Sequence, residues 1–261
     1  MTIQTLREKL EELAPEALAL DWDNSGFLVG DEKQKLHTVY LALDATEAAI
    51  LAAQQCGAEL LLTHHPLIFR GIARVTTEDF VGRRICQMLQ SGISCQAMHT
   101  NFDVCVMGTL AGERLGLKEL QPLEVTGSWK GKPCGIGVLG TVPGSLTLRE
   151  CAALVKERFD LPQTLAYGAQ EHRIQKLALV PGSGADEIPY ALAAGADVLI
   201  TGDISHHKGI DAWEQGLAVI DAGHYGLEHI FVDFMADYLG GQFPELKICK
   251  EAHKLPYDII Q

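Results

Sequence analysis

The sequence lacks the cysteine patterns of disulfide frameworks and thiolate zinc sites. Its seven cysteines are an odd number, they are scattered along 261 residues, and no Cys-x-x-Cys pair occurs. Scattered single cysteines argue against paired disulfides and against a structural zinc site. We therefore expect most of them to be small buried side chains in a reducing compartment.

Long apolar runs are absent as well. No stretch approaches the roughly 20 apolar residues of a membrane-spanning helix. Residues 1–20 carry six charged side chains and no apolar signal core. These absences predict a cytoplasmic protein with no membrane partner.

Basic residues are scarce relative to acidic ones. The chain has 21 Lys and Arg against 34 Asp and Glu, which gives a formal net charge of −13. This charge argues against non-specific binding to the phosphate backbone of nucleic acids, although it does not exclude a small basic pocket. The sequence also lacks a G-x-x-x-x-G-K-[ST] phosphate loop, a G-x-S-x-G nucleophile elbow and a dinucleotide fingerprint with its acidic partner.

Strand and helix patterns alternate in the first part of the chain. Apolar runs bounded by turn residues are followed by helical segments with capping residues at their ends. The predicted order is strand Val39–Asp44, helix Thr46–Gln55, strand Leu60–Thr63, helix Phe80–Gln90 and strand Ile93–Met98. This alternation predicts a largely parallel sheet covered by helices.

A gapless internal repeat extends this pattern to a second half. The segment from Val39 to Thr63 matches the segment from Leu177 to Thr201 in residue kind, at a constant offset of 138. The repeated strand–helix–strand unit predicts two related α/β domains, each a mostly parallel or mixed sheet flanked by helices. We expect the first domain to span residues 1–124, joined by 229–261, and the second to span 125–228.

Two adjacent histidines lie where a predicted strand ends. Leu60–Thr63 is followed by His64, His65 and Pro66, and a proline does not continue a central strand. In α/β proteins, ligands bind in this zone. Neighbouring side chains on a strand point to opposite faces, so these two imidazoles would serve one site only if it is wide. A pair of metal ions would make the site wide.

Other polar residues also follow predicted strands, and the ends of parallel strands share one edge of a sheet. His224 and Glu228 are four residues apart at a helix start, which places both on one helical face. Imidazole and carboxylate ligands without thiolate suit Zn, Mn, Fe, Co or Ni, and two such ions acidify water for hydrolysis. We expect His64 and Glu228 to lie outside the core. The full set is Asp44, His64, His65, His99, Asp103, Asp203, Asp221, His224 and Glu228.

Two segments leave alternatives open. Residues 21–30 form either a surface turn with Trp22 tucked into the core or a lip of the active site, and composition favours the surface turn. His206 and His207 are a rival histidine pair, but they lie several residues past their strand. We expect them to face the substrate or to support the ligands rather than to bind metal.

Five motifs run through the chain in order. They are Trp22-Asp23-Asn24-Ser25-Gly26, Thr63-His64-His65-Pro66-Leu67, His99-Thr100-Asn101-Phe102-Asp103, Thr201-Gly202-Asp203 with His206-His207, and Asp221-Ala222-Gly223-His224-Tyr225 with Glu228. Together they resemble the NIF-three-like family, whose members are commonly labelled GTP cyclohydrolase 1 type 2 homologues. The resemblance is to the short bacterial branch that includes the YbgI-type proteins.

The resemblance implies two interlinked α/β domains, two divalent metal ions per subunit and a toroidal homohexamer, a trimer of dimers. It leaves the metal open among Zn, Fe, Mn, Co and Ni. We expect His99 either to act as a general acid or base or to fix Asp103. By motif position, the implied metal ligands are His64, His65, Asp103, His224 and Glu228. Residues expected to support the ligands or face the substrate are Asn24, Asn101, Asp203, His206, His207 and Tyr225.

The family label implies a hydrolase that acts on a nucleotide-like substrate. In that reaction a metal-bound hydroxide attacks C8 of GTP, the imidazole ring opens, and formate and 7,8-dihydroneopterin triphosphate form. Two alternatives stand beside this hypothesis. One is a non-enzymatic metal-handling protein, and the other is a ring-shaped scaffold for nucleic acid or protein partners. The acidic charge of the chain argues against nucleic acid as the partner of such a scaffold.

Overall fold

Helix boundaries in the computed structural model, which describes residues 1–260, follow capping signals in the sequence. Thr46 accepts a hydrogen bond from the Ala49 amide before the second helix, and Thr147 forms a capping box with Glu150 before the sixth. The helices are α1 (Ile3–Leu13), α2 (Glu47–Cys56), α3 (Phe80–Gln90), α4 (Thr100–Phe102), α5 (Gly108–Leu115), α6 (Leu148–Phe159), α7 (Ile188–Ala193), α8 (His206–Glu214), α9 (His224–Glu228) and α10 (Ile230–Gln242). Short 3₁₀ turns lie at Glu16–Leu18 and Ala185–Glu187, and a π-helical turn lies at Asp103–Met107.

The strands build two sheets. They are β1 (Gly26–Val29), β2 (Thr38–Ala42), β3 (Leu60–Thr63), β4 (Ser94–Ala97), β5 (Lys118–Trp129), β6 (Lys132–Thr147), β7 (Leu165–Tyr167), β8 (Arg173–Ser183), β9 (Val198–Gly202), β10 (Ala218–Asp221) and β11 (Lys247–Lys250). None of the helices in the part of the chain that the structure describes has the length and apolar character required to span a bilayer.

The first unit comprises residues 1–102 and 231–254. Its sheet has the order β1-β4-β3-β2-β11, in which β4, β3, β2 and β11 are parallel neighbours and β1 is antiparallel to β4. Every residue of β2, β3 and β4 is buried, as expected for central strands with helices on their faces. The carboxyl ends of these three strands lead into Asp44, His64 and His99 at one edge of the sheet.

The second unit comprises residues 103–230 and the chain from Leu255 onward. Its sheet has the order β5-β6-β8-β9-β10-β7. The central strands β8, β9 and β10 are parallel, whereas β5, β6 and β7 join antiparallel. The two sheets flanked by helices confirm the predicted α/β fold, with the second sheet mixed.

The internal repeat is visible in a matched pair of carboxylates. In the first unit, Glu59 Oε2 accepts hydrogen bonds from the amides of His37 and Thr38 at 3.1 and 2.8 Å. In the second unit, Asp197 Oδ2 accepts from the amides of Gln175 and Lys176, both at 2.8 Å. Both carboxylates precede the second strand of the repeat, and each ties it to the start of the first strand.

The units divide at other positions than the sequence predicts. The boundaries lie at 102/103 and 230/231, rather than at 124/125 and 228/229. Helix α5 packs on β5, β6 and β8, so the chain from Asp103 onward already belongs to the second sheet. The chain from Leu255 onward also belongs to the second unit, where Tyr257 lies close to Gly223.

Candidate metal centre

His64 and His65 leave the end of β3 on a turn rather than on the strand. The Thr63 hydroxyl donates to the His65 carbonyl at 2.7 Å, and the His65 amide donates to the Leu43 carbonyl at 2.9 Å. These bonds curl the chain, so strand alternation no longer applies and the two ring centroids lie 5.0 Å apart. The expected divergence of the two side chains is therefore wrong.

His64 is also more deeply placed than the sequence suggests. It is 0% exposed, and its ring packs against those of Phe102 and Phe231 at 6.3 and 5.3 Å. Glu228 is 3% exposed in the second unit. The expectation that these residues lie outside the core is wrong, because the strand and helix ends that carry them are themselves buried.

The Asp23 side chain is fully buried and holds His99. Its Oδ1 accepts from His99 Nδ1 at 2.7 Å, while its Oδ2 accepts from the Ser25 hydroxyl and the Thr100 hydroxyl, both at 2.6 Å. Burial alone would raise the pKa of Asp23, but hydrogen bonds from His99, Ser25 and Thr100 outweigh it and hold that pKa well below its usual range. The buried carboxylate is therefore an anion that orients the imidazole.

The same loop corrects the prediction for Trp22. This residue is 59% exposed rather than tucked into the core. Its ring lies 5.9 Å from both the Phe69 and the His99 rings. Residues 21–30 therefore form a lip beside the histidines, which is the alternative that composition disfavoured.

Three imidazoles converge in the first unit. One ring nitrogen of each of His64, His65 and His99 lies within 4.8 Å of the other two. Each ring engages its Nδ1 with an acceptor: the Met98 carbonyl for His64 at 2.8 Å, Asp44 for His65 at 2.9 Å, and Asp23 for His99. Such acceptors fix the tautomer in which Nε2 carries the lone pair, the arrangement seen around metal-binding histidines.

The second unit places an imidazole beside a carboxylate on α9. His224 Nε2 lies 2.8 Å from Glu228 Oε2, as the four-residue spacing predicts. His224 Nδ1 donates to Asp203 Oδ2 at 2.8 Å. Asp203, with φ of +57°, follows the end of β9, and its contact supports the ring in the way that Asp44 supports His65.

A second carboxylate lies close to Glu228. Asp103 opens the π-helical turn, a distortion frequent at functional sites, and one of its oxygens lies within 4.8 Å of an oxygen of Glu228. Gly182 makes room for this pair. A Cβ at Gly182 would lie 2.2 Å from Glu228 Oε1, and the φ of +82° also favours glycine.

The remaining predicted residues occupy varied places. The Asn24 side chain donates to the Ile68 carbonyl at 2.5 Å, and buried Asn101 donates to the Ala14 carbonyl at 2.7 Å. The contacts of both amides are therefore to the backbone. His206 and His207 are exposed at the start of α8, and the Tyr225 ring packs 5.1 Å from that of His229.

Asp23 and Gly182 are the site residues that the sequence leaves out of the candidate set. Asp23 belongs to a motif, yet its carboxylate and His99 are 76 residues apart, and no local spacing links them. For Gly182, the internal repeat of the sequence contains a signal that could have identified the position. It is the repeat counterpart of Asp44 at the constant offset, so it stands at a strand end where the first copy has a polar group.

The donor sets fit divalent transition metals. Each unit offers imidazole nitrogen or carboxylate oxygen atoms, within a few ångströms of one another, on rings and carboxylates that are held by other residues. Nitrogen and oxygen donors of this kind suit Zn, Mn, Fe, Co and Ni, and the cysteines contribute no thiolate to either group. The described residues therefore contain groups that could bind metal.

The chain is similar to known proteins along most of its length. A family model described as Duf34/NIF3 (NGG1p interacting factor 3) matches residues 1–256. A Clostridium perfringens protein named GTP cyclohydrolase 1 type 2 homolog is 35% identical over 237 residues, covering 87% of each chain. The solved structure of a Bacillus cereus protein related to NIF3 matches with a TM-score of 0.90 at 21% identity, covering 100% of this chain and 99% of that one. The protein ybgI, of unknown function, matches with a TM-score of 0.84 at 21% identity, covering 98% and 100%.

Proposed function

Because the chain belongs to the Duf34/NIF3 (NGG1p interacting factor 3) family, we propose that it is a metal-dependent hydrolase acting on a nucleotide-like substrate. The observation that carries the proposal is the three-histidine cluster of the first unit. Packing alone does not require three neighbouring rings whose Nδ1 atoms are each held by a separate acceptor. A relative at 35% identity carries the name GTP cyclohydrolase 1 type 2 homolog, which supports a nucleotide as the substrate class.

We propose that two divalent ions bind to His64, His65, Asp103, His224 and Glu228. The donor chemistry of each unit supports this set. When bound, the ions would acidify water and polarise the substrate, which is the chemistry that hydrolysis requires.

His99 is the residue proposed to move a proton. Its Nδ1–H is held by the anionic Asp23, so its Nε2 presents a lone pair, and the nearby carboxylate stabilises the ring once it is protonated. The His99 side chain is 14% exposed, so a proton acquired there can leave to solvent. Asp203 and Asp44 keep His224 and His65 in the matching tautomer.

GTP is the first substrate to test, with ring opening, formate and 7,8-dihydroneopterin triphosphate as the expected outcome. Protein purified without chelator is analysed for metal and then assayed anaerobically for formate release from GTP, other nucleotides and pterins. We expect activity that disappears on chelation and returns when the native metal is restored. Full metal occupancy with no turnover of any compound would instead support the metal-handling alternative.

Two further parts of the proposal concern assembly and location. We propose a homohexamer, which the resemblance implies, and a cytoplasmic location. Light scattering coupled to gel filtration measures the mass of the assembly against the 28.4 kDa of one chain. A monomer or dimer at micromolar concentration would remove the ring from the proposal without affecting the metal site.

A further inference from the structure

A cavity in the first unit opens next to the histidine cluster. It has a volume of about 460 Å³ and lies between the end of β3, the loop that follows Pro66 and the first turns of α3. His65 is part of its wall, so the cavity adjoins a proposed metal ligand. A volume of this size lies within the range of small-molecule sites.

The walls of the cavity combine apolar surface with cationic groups. Leu67, Phe69 and Phe80 supply apolar and aromatic surface, and Arg70 and Arg84 supply two guanidinium groups. Phe69 and Phe80 are 46% and 57% exposed, although aromatic side chains of this size are normally more buried in a folded chain. Exposed rings beside a cavity offer stacking surface for a planar ligand.

The charge around this cavity runs against the charge of the whole chain. Residues 70–84 contain four arginines and two acidic residues, within a chain whose net charge is −13. One of the two acids, Asp79, is engaged as the cap of α3, where its Oδ2 accepts from the Gly82 amide at 2.8 Å. The carboxylate in the wall, Asp44, is bound to His65. The cationic groups therefore dominate the cavity.

Arg84 has a particular arrangement. Its guanidinium lies over the Phe80 ring, with Cζ 5.3 Å from the centroid. Its Nε is buried and has no hydrogen-bond acceptor among residues 1–260. Arg84 lines the cavity, and a guanidinium group makes charge-assisted hydrogen bonds to an anion.

We propose that this cavity binds a planar heterocycle that carries one phosphate group. The ring lies against Phe69 and Phe80, and Arg84 and Arg70 bind the phosphate. Two guanidinium groups match the charge of a single phosphate monoester better than that of a triphosphate. This inference rests on the proposed function, because His65 would bring the bound molecule to the metal centre.

Equilibrium binding to the full chain, measured by calorimetry, tests the proposal. The probes are guanosine 5′-monophosphate, guanosine, GTP and inorganic phosphate, each titrated into metal-loaded and chelator-treated protein. We expect the monophosphate to bind at least about tenfold more tightly than guanosine, inorganic phosphate or GTP. Arg84→Gln should weaken monophosphate binding about 10- to 100-fold and leave guanosine binding unchanged, because it removes one charge-assisted contact.

Arg83→Gln is the matched control on the same helix. Arg83 is exposed, is not part of the cavity wall, and lies 3.9 Å from Glu47. If Arg84→Gln does not fold, Arg70→Gln in the exposed loop gives the same test. No saturable monophosphate binding, equal weakening by the Arg83 and Arg84 variants, or tighter binding of GTP would overturn the proposal. Binding that depends on Arg84, with no turnover, would support the proposed ligand of the cavity and reject the hydrolase function. Turnover that Arg84→Gln does not change would support the hydrolase function and reject the proposed ligand of the cavity.

Discussion

Replacing Gly182 with alanine should remove metal while leaving the fold in place. The added Cβ would lie 2.2 Å from Glu228 Oε1, whereas a normal carbon–oxygen contact is about 1 Å longer. The atom it meets is the far end of a side chain, so the carboxylate can swing aside without moving the backbone. Metal sites tolerate ligand displacements of only about 0.2 to 0.5 Å, so a shift of this size should abolish the Glu228 contact.

The expected effect of Gly182→Ala has two parts, a loss of fold stability from backbone strain and a loss of metal affinity from displacement of Glu228. Alanine at a φ of +82° costs about 1 to 2 kcal/mol in stability. Gly216→Ala provides the control, because Gly216 has a φ of +93° and a Cβ there would meet nothing within 4 Å. Both variants should lose similar stability, corresponding to a few degrees in Tm. Only Gly182→Ala should also lose metal affinity, by about 100-fold or more, since even the loss of a supporting contact costs 10- to 100-fold.

Calorimetric titration of chelator-treated protein with Zn²⁺ or Mn²⁺ measures the affinity, and thermal unfolding in chelator measures the strain. Wild-type stoichiometry and affinity in Gly182→Ala would show that Glu228 is not a ligand from its present position. Equal metal loss in Gly182→Ala and Gly216→Ala would attribute the effect to backbone strain alone. Either result would refute the reasoning.

Three further predictions concern other residues. His64→Gln and Glu228→Gln, which preserve side-chain size in buried surroundings, should lose bound metal by elemental analysis with unchanged circular dichroism. Asp23→Asn should retain metal and lower kcat about 10²- to 10⁴-fold, because His99 loses its anionic partner. Glu187→Gln should raise Tm at pH 8 much more than at pH 5, since burial and the neighbouring charges of Glu124 and Asp186 raise the pKa of Glu187 to about 7 from 4.5.

The protonation of Glu187 is linked to folding. The folded state holds the proton more tightly than the unfolded state, so Glu187 lowers stability as pH rises from about 4.5 to about 7. Because solvent partly reaches this side chain, we expect Glu187→Gln to gain only about 1 kcal/mol of stability at pH 8. An equal gain at both pH values would contradict this account. Full metal in His64→Gln, or unchanged kcat in Asp23→Asn, would exclude the role proposed for that residue.

Local patterns predicted the elements well. Helix α3 spans Phe80–Gln90 as expected, and Thr147 and Glu150 have the spacing of a capping box and form one. Such features depend on neighbours in sequence, where capping chemistry and periodicity act directly. The motif resemblance was confirmed at the level of the family, and the fold was confirmed as two sheets flanked by helices.

The errors concern contacts between distant residues. The exposed Trp22 and the buried Asp23 follow each other in sequence, and composition alone gives no indication of their opposite burial. Asp23 becomes buried because it satisfies His99, Ser25 and Thr100 together. The convergence of His64 and His65 depends on two hydrogen bonds that end strand geometry at Thr63. Whether the predicted ligands share one centre stays a prediction.

The position of β11 has a consequence for the order in which the protein folds during synthesis. This strand pairs with β2 at the edge of the first sheet, yet it leaves the ribosome after the whole 103–230 segment. At about 5 to 20 residues per second, β2 waits many seconds for its partner. During that time its fully buried sequence Thr38–Ala42 would be an open edge, a template for aggregation. Nearly all of the chain of the second unit is synthesised before β11, so the second sheet can form while the first is still incomplete. The nascent protein should therefore depend on chaperones at its amino-terminal half.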